Sequence, residues 1–226
     1  MRSRERIKYA LIRRKFRLLR KLRMNNFFIN RVLTRADSAQ AARLPVPITS
    51  LSLEEADYFR LVDTRPLHQY KRYSYLHSKP LEYLSTITLM DLQGGETILD
   101  AAGGSDAEYL KALKLYTGLP VKLYCQDALV STNSHNHGIT YIGGTIENVP
   151  LPDESLDCIS CHHSFEHFQK DLDMLFIKEA IRLLRPNGKL IIIPLFLTNI
   201  PAEIWNERPP ARFDADARLI YDFTAS

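Results

Sequence analysis

The chain has 226 residues, 45% of them hydrophobic, and a formal net charge of +4. That length and composition support one domain of ordinary size with a core that needs no disulfides. Three cysteines, Cys125, Cys158 and Cys161, are too sparse for a disulfide framework and fit a reducing, cytoplasmic setting. No apolar run reaches the roughly 18 residues of a membrane span, and no signal-peptide pattern is visible.

The charge is unevenly spread. Residues 1–35 hold 13 Lys and Arg against one acid, Glu5, so a basic arm of +12 precedes a body of −8. Within the arm Ile7, Leu11, Leu18, Leu22, Ile29 and Leu33 recur at helical spacing on one face. Residues 1–43 therefore read as a basic amphipathic helical extension. Such a helix suits an anionic membrane surface, which would make the protein peripheral there. It equally suits packing on the body or on a second subunit. Organelle targeting is a further reading; nucleic acid is disfavoured by the acidic body and the lack of a binding motif. The oligomeric state is left open.

Pro45 and Pro47 break the pattern, and residues 44–94 read as a linker and helical lead-in. A helix is expected from Leu81 to Leu92, entered through Pro80 and closed by Gly94-Gly95. From residue 95 to 226 strands and helices alternate. "TILDAA" is a first strand, "VKLYCQD" a second, "ITYIGG" a third, "LDCISC" a fourth and "KLIIIPLF" a fifth. Ser105 to Tyr116 is expected as a helix opened by a Ser105/Glu108 capping box. Residues 128–138 read as a loop. "DLDMLFIKEAIRLLR" is expected as a helix stopped by Pro186-Asn187-Gly188. This alternation predicts an α/β fold with a doubly wound, mostly parallel sheet. After Phe196 the chain reads as a loop or short helix, which cuts the sheet short after its fifth strand.

In such sheets ligands bind beyond the carboxyl ends of the strands. "LDAAGGSDAEYL" (99–110) ends the first strand on an acid and turns on small residues into a helix, which lets a ligand approach the backbone. Asp127 closes the second strand at the distance expected of a ribose-binding acid, roughly 20 residues on. A nucleoside cofactor follows from that spacing; the G-x-G-x-x-G turn of nicotinamide enzymes is absent.

"ETILDAAGGSD" resembles the first motif of class I S-adenosylmethionine-dependent methyltransferases. "GTIENVPLPDESLDCISCHHSFEHF" and "LLRPNGKLIIIP" resemble, in order, the later motifs of the small-molecule, type 11 branch of that family. The resemblance covers about residues 95–196 and implies a Rossmann-like sheet that uses S-adenosyl-L-methionine. It implies that Asp100 supports the turn at the methionine end, with Ala101, Ala102, Gly103 and Gly104 giving backbone room. Asp127 would take the ribose, and Thr145, Ile146 and Glu147 the adenine. Cys161, His162 and His163 would line the cleft. Three positions depart from the pattern. Ala102 stands where a first glycine is usual, which a negative φ would tolerate. Asp106 stands where a third is usual. Thr145 replaces an acid.

Methyl transfer to a hydroxyl would use a general base. His163, Glu166 and His167 follow the fourth strand and are the candidates, though Glu166 and His167 equally suit a bracing role. Cys158-x-x-Cys161-His162 mimics haem and zinc patterns, but alternate strand positions send the two sulfurs to opposite faces, so no metal site is expected. The implied partner is a small-molecule, lipid-linked or saccharide methyl acceptor. The alternative is a catalytically weak or inactive methyltransferase-like module held on a membrane surface or a partner protein.

Overall fold

The computed structural model describes residues 49–72 and 76–195 and the backbone of 202–205 and 218–221. The basic arm lies outside the described residues, and so do its membrane, packing and targeting readings.

Residues Ser50–Phe196 form one compact unit. Its elements in order are α1 (Glu55–Val62), a 3-10 segment (Arg65–Arg72), α2 (Ser78–Met90), β1 (Thr97–Ala101), α3 (Glu108–Thr117), β2 (Lys122–Asp127), β3 (Ser134–Asn136), β4 (Ile139–Gly143), β5 (Leu156–His162), a 3-10 turn (Phe165–His167), α4 (Leu172–Leu183) and β6 (Leu184–Ile193). The sheet order is β3-β4-β2-β1-β5-β6. β1 pairs in parallel with both β2 and β5, and only the short edge strand β3 runs antiparallel. The five expected strands are present, and the doubly wound reading holds. β3, inside the segment read as a loop, is an addition: three exposed residues with no apolar periodicity give no strand signal. Two further strands, β7 (Ala202–Trp205) and β8 (Arg218–Tyr221), pair in parallel in a second unit, where a loop or short helix was expected.

Strand parity divides the core. Ile98, Cys125, Cys158 and Ile191 face a cluster built with α1, α2 and α3 through Leu61, Leu84, Tyr83, Tyr109 and Leu113. Leu99, Ala101, Ile159 and Cys161 face the opposite cluster, closed by Phe176, Ala180 and Leu183 of α4. The lead-in is helical as expected, and the helices of its described residues pack on one face of the sheet. The parallel strands are apolar on both faces because both are covered.

Two helix starts differ from expectation. α2 begins at Ser78, where His77 caps it by accepting from the Lys79 N–H (3.3 Å), and Pro80 sits in its first turn. It ends on Asp91 in the left-handed region, before the glycines are reached. α3 begins at Glu108, not Ser105, after Ala107 at φ +48°. The capping box does not form, because residues 103–107 are spent on the turn itself.

The loop between β4 and β5 is clamped from α4. Glu179, buried, accepts the Val149 N–H at 2.7 Å, and Arg182 donates to Glu179, to the Val149 and Leu151 carbonyls and to Asp153. The two carboxylates hold the Arg182 guanidinium firmly charged, and Arg182 in turn keeps Glu179 below the ordinary carboxylate range. This clamp fixes Ile146, buried three residues upstream, against the second cluster. Arg182→Met should lower unfolding stability by about 2 kcal/mol, because it strands the Glu179 carboxylate and two carbonyls; urea denaturation of both proteins reads the difference.

Candidate functional site

β1 is the central strand, and Asp100 is the last of its residues to face the α2/α3 side. Its side chain is almost wholly buried (1% exposed). Oδ1 accepts from the Ser160 hydroxyl (2.9 Å) and from His162 Nδ1 (3.3 Å), both on neighbouring β5. His162 Nδ1 thus faces the Asp100 carboxylate. Its Nε2 is bonded to the Thr86 hydroxyl on α2 at 2.9 Å, and its ring lies against Tyr83 and Tyr109. The chain Thr86–His162–Asp100–Ser160 thus ties α2 to the strand ends.

The turn after β1 is built over this carboxylate. A Cβ on Gly103 would overlap Asp100 Oδ2 and would come within 3.0 Å of Cys125 Sγ, so only glycine fits there. Gly104 has φ +75°, and its N–H donates to Asp127 Oδ2 at 2.9 Å. Asp127 Oδ1 accepts the Leu129 N–H at 2.8 Å. Asp127 therefore staples the end of β2 to the turn while keeping a lone pair on each oxygen. Ala102 has φ +52°, not the negative value expected. The left-handed region costs a residue with a Cβ about 1 kcal/mol. Ala107 and His163 are also left-handed, so strain gathers around this one turn and the end of β5.

A cleft of about 240 Å³ opens over the turn, lined by Asp100, Ala102, Gly103, Gly104, Asp106 and Glu108, by His162 and His163 from the end of β5, and by Lys79 and Tyr83 from α2. Glu108 organises its mouth. It accepts from Gln69 (2.7 Å) and from the Tyr83 hydroxyl (3.3 Å), and Lys79 lies 3.5 Å away. Burial, and then the Glu108 charge, keep the Tyr83 hydroxyl protonated well past its ordinary range. A second hollow of about 360 Å³ lies beyond the turn, lined by Ser105, Lys111, Ser131, Asn136 and Tyr141 among others. It holds no carboxylate and no histidine that faces one.

Of the residues singled out in the sequence, Asp100, Ala102, Gly103, Gly104, His162 and His163 converge on the cleft. Asp127 stands behind the turn. Thr145, Ile146 and Glu147 follow β4: Ile146 is buried in the second cluster, and Glu147 Oε2 is buried with no partner among the described residues. Ala101 and Cys161 do not line the cleft. Strand alternation turns both to the opposite face, where they are fully buried, and burial pushes the Cys161 thiol up to about 12. Cys158 and Cys161 sit in different clusters, as strand parity requires. Glu166 stands beside His163, with Oε1 at 3.9 Å from Nδ1, whereas His167 is exposed and outside the cleft.

Lys79, Glu82, Tyr83 and Thr86 were not anticipated. They come from α2, whose sequence "SKPLEYLSTITLM" reads only as an amphipathic helix. Their three- and four-residue spacing was the available signal; nothing pointed that face at the strand ends.

Residues 100–192 match the family described as "Methyltransferase domain". The chain is 33% identical over 134 residues to phthiotriol/phenolphthiotriol dimycocerosates methyltransferase 1 of Mycobacterium ulcerans, covering 54% of this chain and 45% of that protein. It is 28% identical over 118 residues to the ubiquinone/menaquinone biosynthesis C-methyltransferase UbiE of Hahella chejuensis, covering 48% and 46%. The chain spans less than half the length of these curated relatives. A solved SAM-dependent methyltransferase from Aquifex aeolicus is similar over 70% of this chain and 79% of its own, with a TM-score of 0.43 and 19% identity.

The turn makes opposite demands on adjacent residues. Ala102→Gly should raise stability by up to about 1 kcal/mol through relief of the left-handed strain, whereas Gly103→Ala should lower it by about 2 kcal/mol through overlap with Asp100. Thermal melts of the two variants should therefore move in opposite directions.

Proposed function

We propose that residues 100–192, which match a methyltransferase domain, are a class I methyltransferase and that the chain transfers a methyl group from S-adenosyl-L-methionine to a lipid-linked small molecule. The observation that carries this reading is the cleft at the end of β1, where Asp100 underlies a turn that admits no Cβ at its centre.

The residues fit the donor on three counts. Gly103 and Gly104 form a cradle with backbone exposed to the cleft. Glu147 Oε2, buried and without a partner, offers a carboxylate acceptor at the adenosine end and stands in for the acid that Thr145 replaces. The cleft wall carries Asp100, Asp106 and Glu108 against the single lysine Lys79, a balance that favours a cationic ligand. When bound, the donor supplies a methyl group made electrophilic by a sulfonium, which leaves as a neutral thioether.

The chain's own residues then have distinct tasks. Asp127, fixed by two backbone N–H groups, accepts from the ribose hydroxyls through its remaining lone pairs. Ile146 and Glu147 hold the adenine side, on a loop kept in place by Arg182. Asp106 attracts the ammonium and Lys79 the carboxylate of the amino-acid end. Tyr83, Tyr109 and His162 close the buried side of the cleft and keep water from it. Alignment and exclusion of water are the main contributions that an in-line displacement needs.

Two of the similar proteins are named for a lipid and for quinones, which supports a hydrophobic or lipid-linked acceptor here. The basic arm fits the same reading: residues 1–35 would seat the protein at an anionic membrane surface where such an acceptor resides. No helix among the described residues is long and apolar enough to cross a membrane.

Calorimetry with S-adenosylhomocysteine tests the donor site. The wild type should bind, and Asp127→Ala should bind at least about 10-fold more weakly, the loss of roughly one charge-assisted hydrogen bond. No heat from the wild type sinks the enzyme reading and leaves the inactive module. Flotation of the full chain should succeed with anionic vesicles and fail with zwitterionic ones.

A further inference from the structure

Four buried side-chain polar atoms among the described residues lack a well-aligned hydrogen-bond partner: Glu82 Oε2, Glu147 Oε2, His163 Nε2 and Glu166 Oε2. Three of the four belong to one cluster. Glu82 reaches from α2 to touch His163 Nε2, and Glu166 from the 3-10 turn places Oε1 3.9 Å from His163 Nδ1. The side chains are sheltered, at 18%, 24% and 17% exposure for Glu82, His163 and Glu166. His163 is held in a left-handed conformation at φ +49°, with its N–H donating to the Ile193 carbonyl on β6. A strained residue, fixed from three elements and facing the cleft, is poorly explained as packing.

Resting on the methyl-transfer reading, the geometry points to Glu82, His163 and Glu166 as the acceptor subsite, built for a hydroxyl, with His163 as its base and Glu82 as the residue that positions it. Glu82 takes the proton-bearing Nε2 of His163. The neutral imidazole, on a residue that lines the cleft, then presents its lone pair at Nδ1, on the side of Glu166. The 3.9 Å gap between Nδ1 and Glu166 is too wide for a direct hydrogen bond. It leaves Nδ1 free to accept from an incoming O–H. As the acceptor oxygen forms its bond to the methyl carbon, the O–H bond breaks and its proton passes to Nδ1; the S–C pair stays on sulfur. The resulting imidazolium lies between two carboxylates that stabilise it, and it returns the proton to solvent.

The charges select the acceptor class. Glu82 and Glu166, with Asp100, Asp106 and Glu108 along the wall, would keep an amine protonated and unreactive and would repel a carboxylate. A hydroxyl is neutral before transfer and needs the base. Three charged groups face His163: Glu82 and Lys79 from α2 and Glu166 from its own segment. The bond to Glu82 is the largest effect and raises its basicity; burial opposes it, the charges of Glu82 and Glu166 add to it, and Lys79 offsets it slightly. The two carboxylates lie off opposite ring nitrogens, so the three groups do not converge on a common point.

Long-range proton–nitrogen NMR on the full chain, with the His163 signals identified by their loss in His163→Gln, reads this directly. The wild type should show the proton on Nε2 and a titration midpoint above the ordinary histidine value of about 6.5. Glu82→Gln should lower the midpoint, and Glu82→Asp should restore part of it. A proton on Nδ1, or a midpoint indifferent to Glu82→Gln, overturns the assignment. Methyl-labelled donor is then offered with a long-chain vicinal diol, a long-chain amine and a fatty acid of equal length. Label should enter the diol, with kcat falling about 100-fold in Glu82→Gln and KM little changed. Label in the amine or the acid, or none in the diol, overturns the hydroxyl assignment. Absence of S-adenosylhomocysteine binding would sink methyl transfer itself, and the NMR result would stand apart from it.

Discussion

The structure turns on one buried carboxylate. Asp100 ends the inward face of the central strand, and almost no water reaches it. A buried carboxylate requires partners, and β5 supplies them through Ser160 and His162, while Gly103 passes close over the second oxygen. The requirement shapes everything nearby. Position 103 cannot carry a side chain, the turn must pass through left-handed conformations at 102 and 104, and α3 cannot start until Glu108. The same carboxylate holds one ring nitrogen of His162, and Thr86 on α2 bonds the other. The cleft and the helical layer are thus consequences of satisfying one carboxylate.

Electrostatics around the cleft are graded. The inner end is aromatic, with Tyr83, Tyr109 and His162 in mutual contact over Asp100. The mouth is acidic, with Asp106 and Glu108 facing Lys79. His163 stands between these zones with a carboxylate on each side. A ligand with a cationic centre and polar ends finds complementary charge along the length of such a channel, while the aromatic floor keeps competing water out.

Much of this was legible in the sequence because the controlling pattern is local. The strands read as apolar runs closed by Asp100 and Asp127, whereas their order across the sheet is read only from the structure. The turn was readable from its small residues, although the sign of φ at Ala102 was not: a residue with a Cβ favours negative φ, and the overlap at Gly103 that accompanies the left-handed path depends on where Asp100 points. Ala101 and Cys161 illustrate a second limit. Their positions beside the site suggested lining roles, but strand parity sends them to the far face. His163 and Glu166 were anticipated by proximity to the strand end. Glu82 and Thr86 were not, because their roles arise from packing across about 76 residues of chain between Thr86 and His162.

Glu82 and Thr86 sit one helical turn apart on α2 and grip consecutive histidines, 163 and 162. The strand-helix alternation begins only at residue 95, so a domain border would ordinarily be drawn at that point. A polypeptide cut there would retain every recognisable motif and still lack one wall of its cleft. His162 would lose its bond to Thr86, and His163 its contact with Glu82. The border suggested by the repeating pattern and the border of the working part of the molecule are different places, and the second lies at the foot of α1.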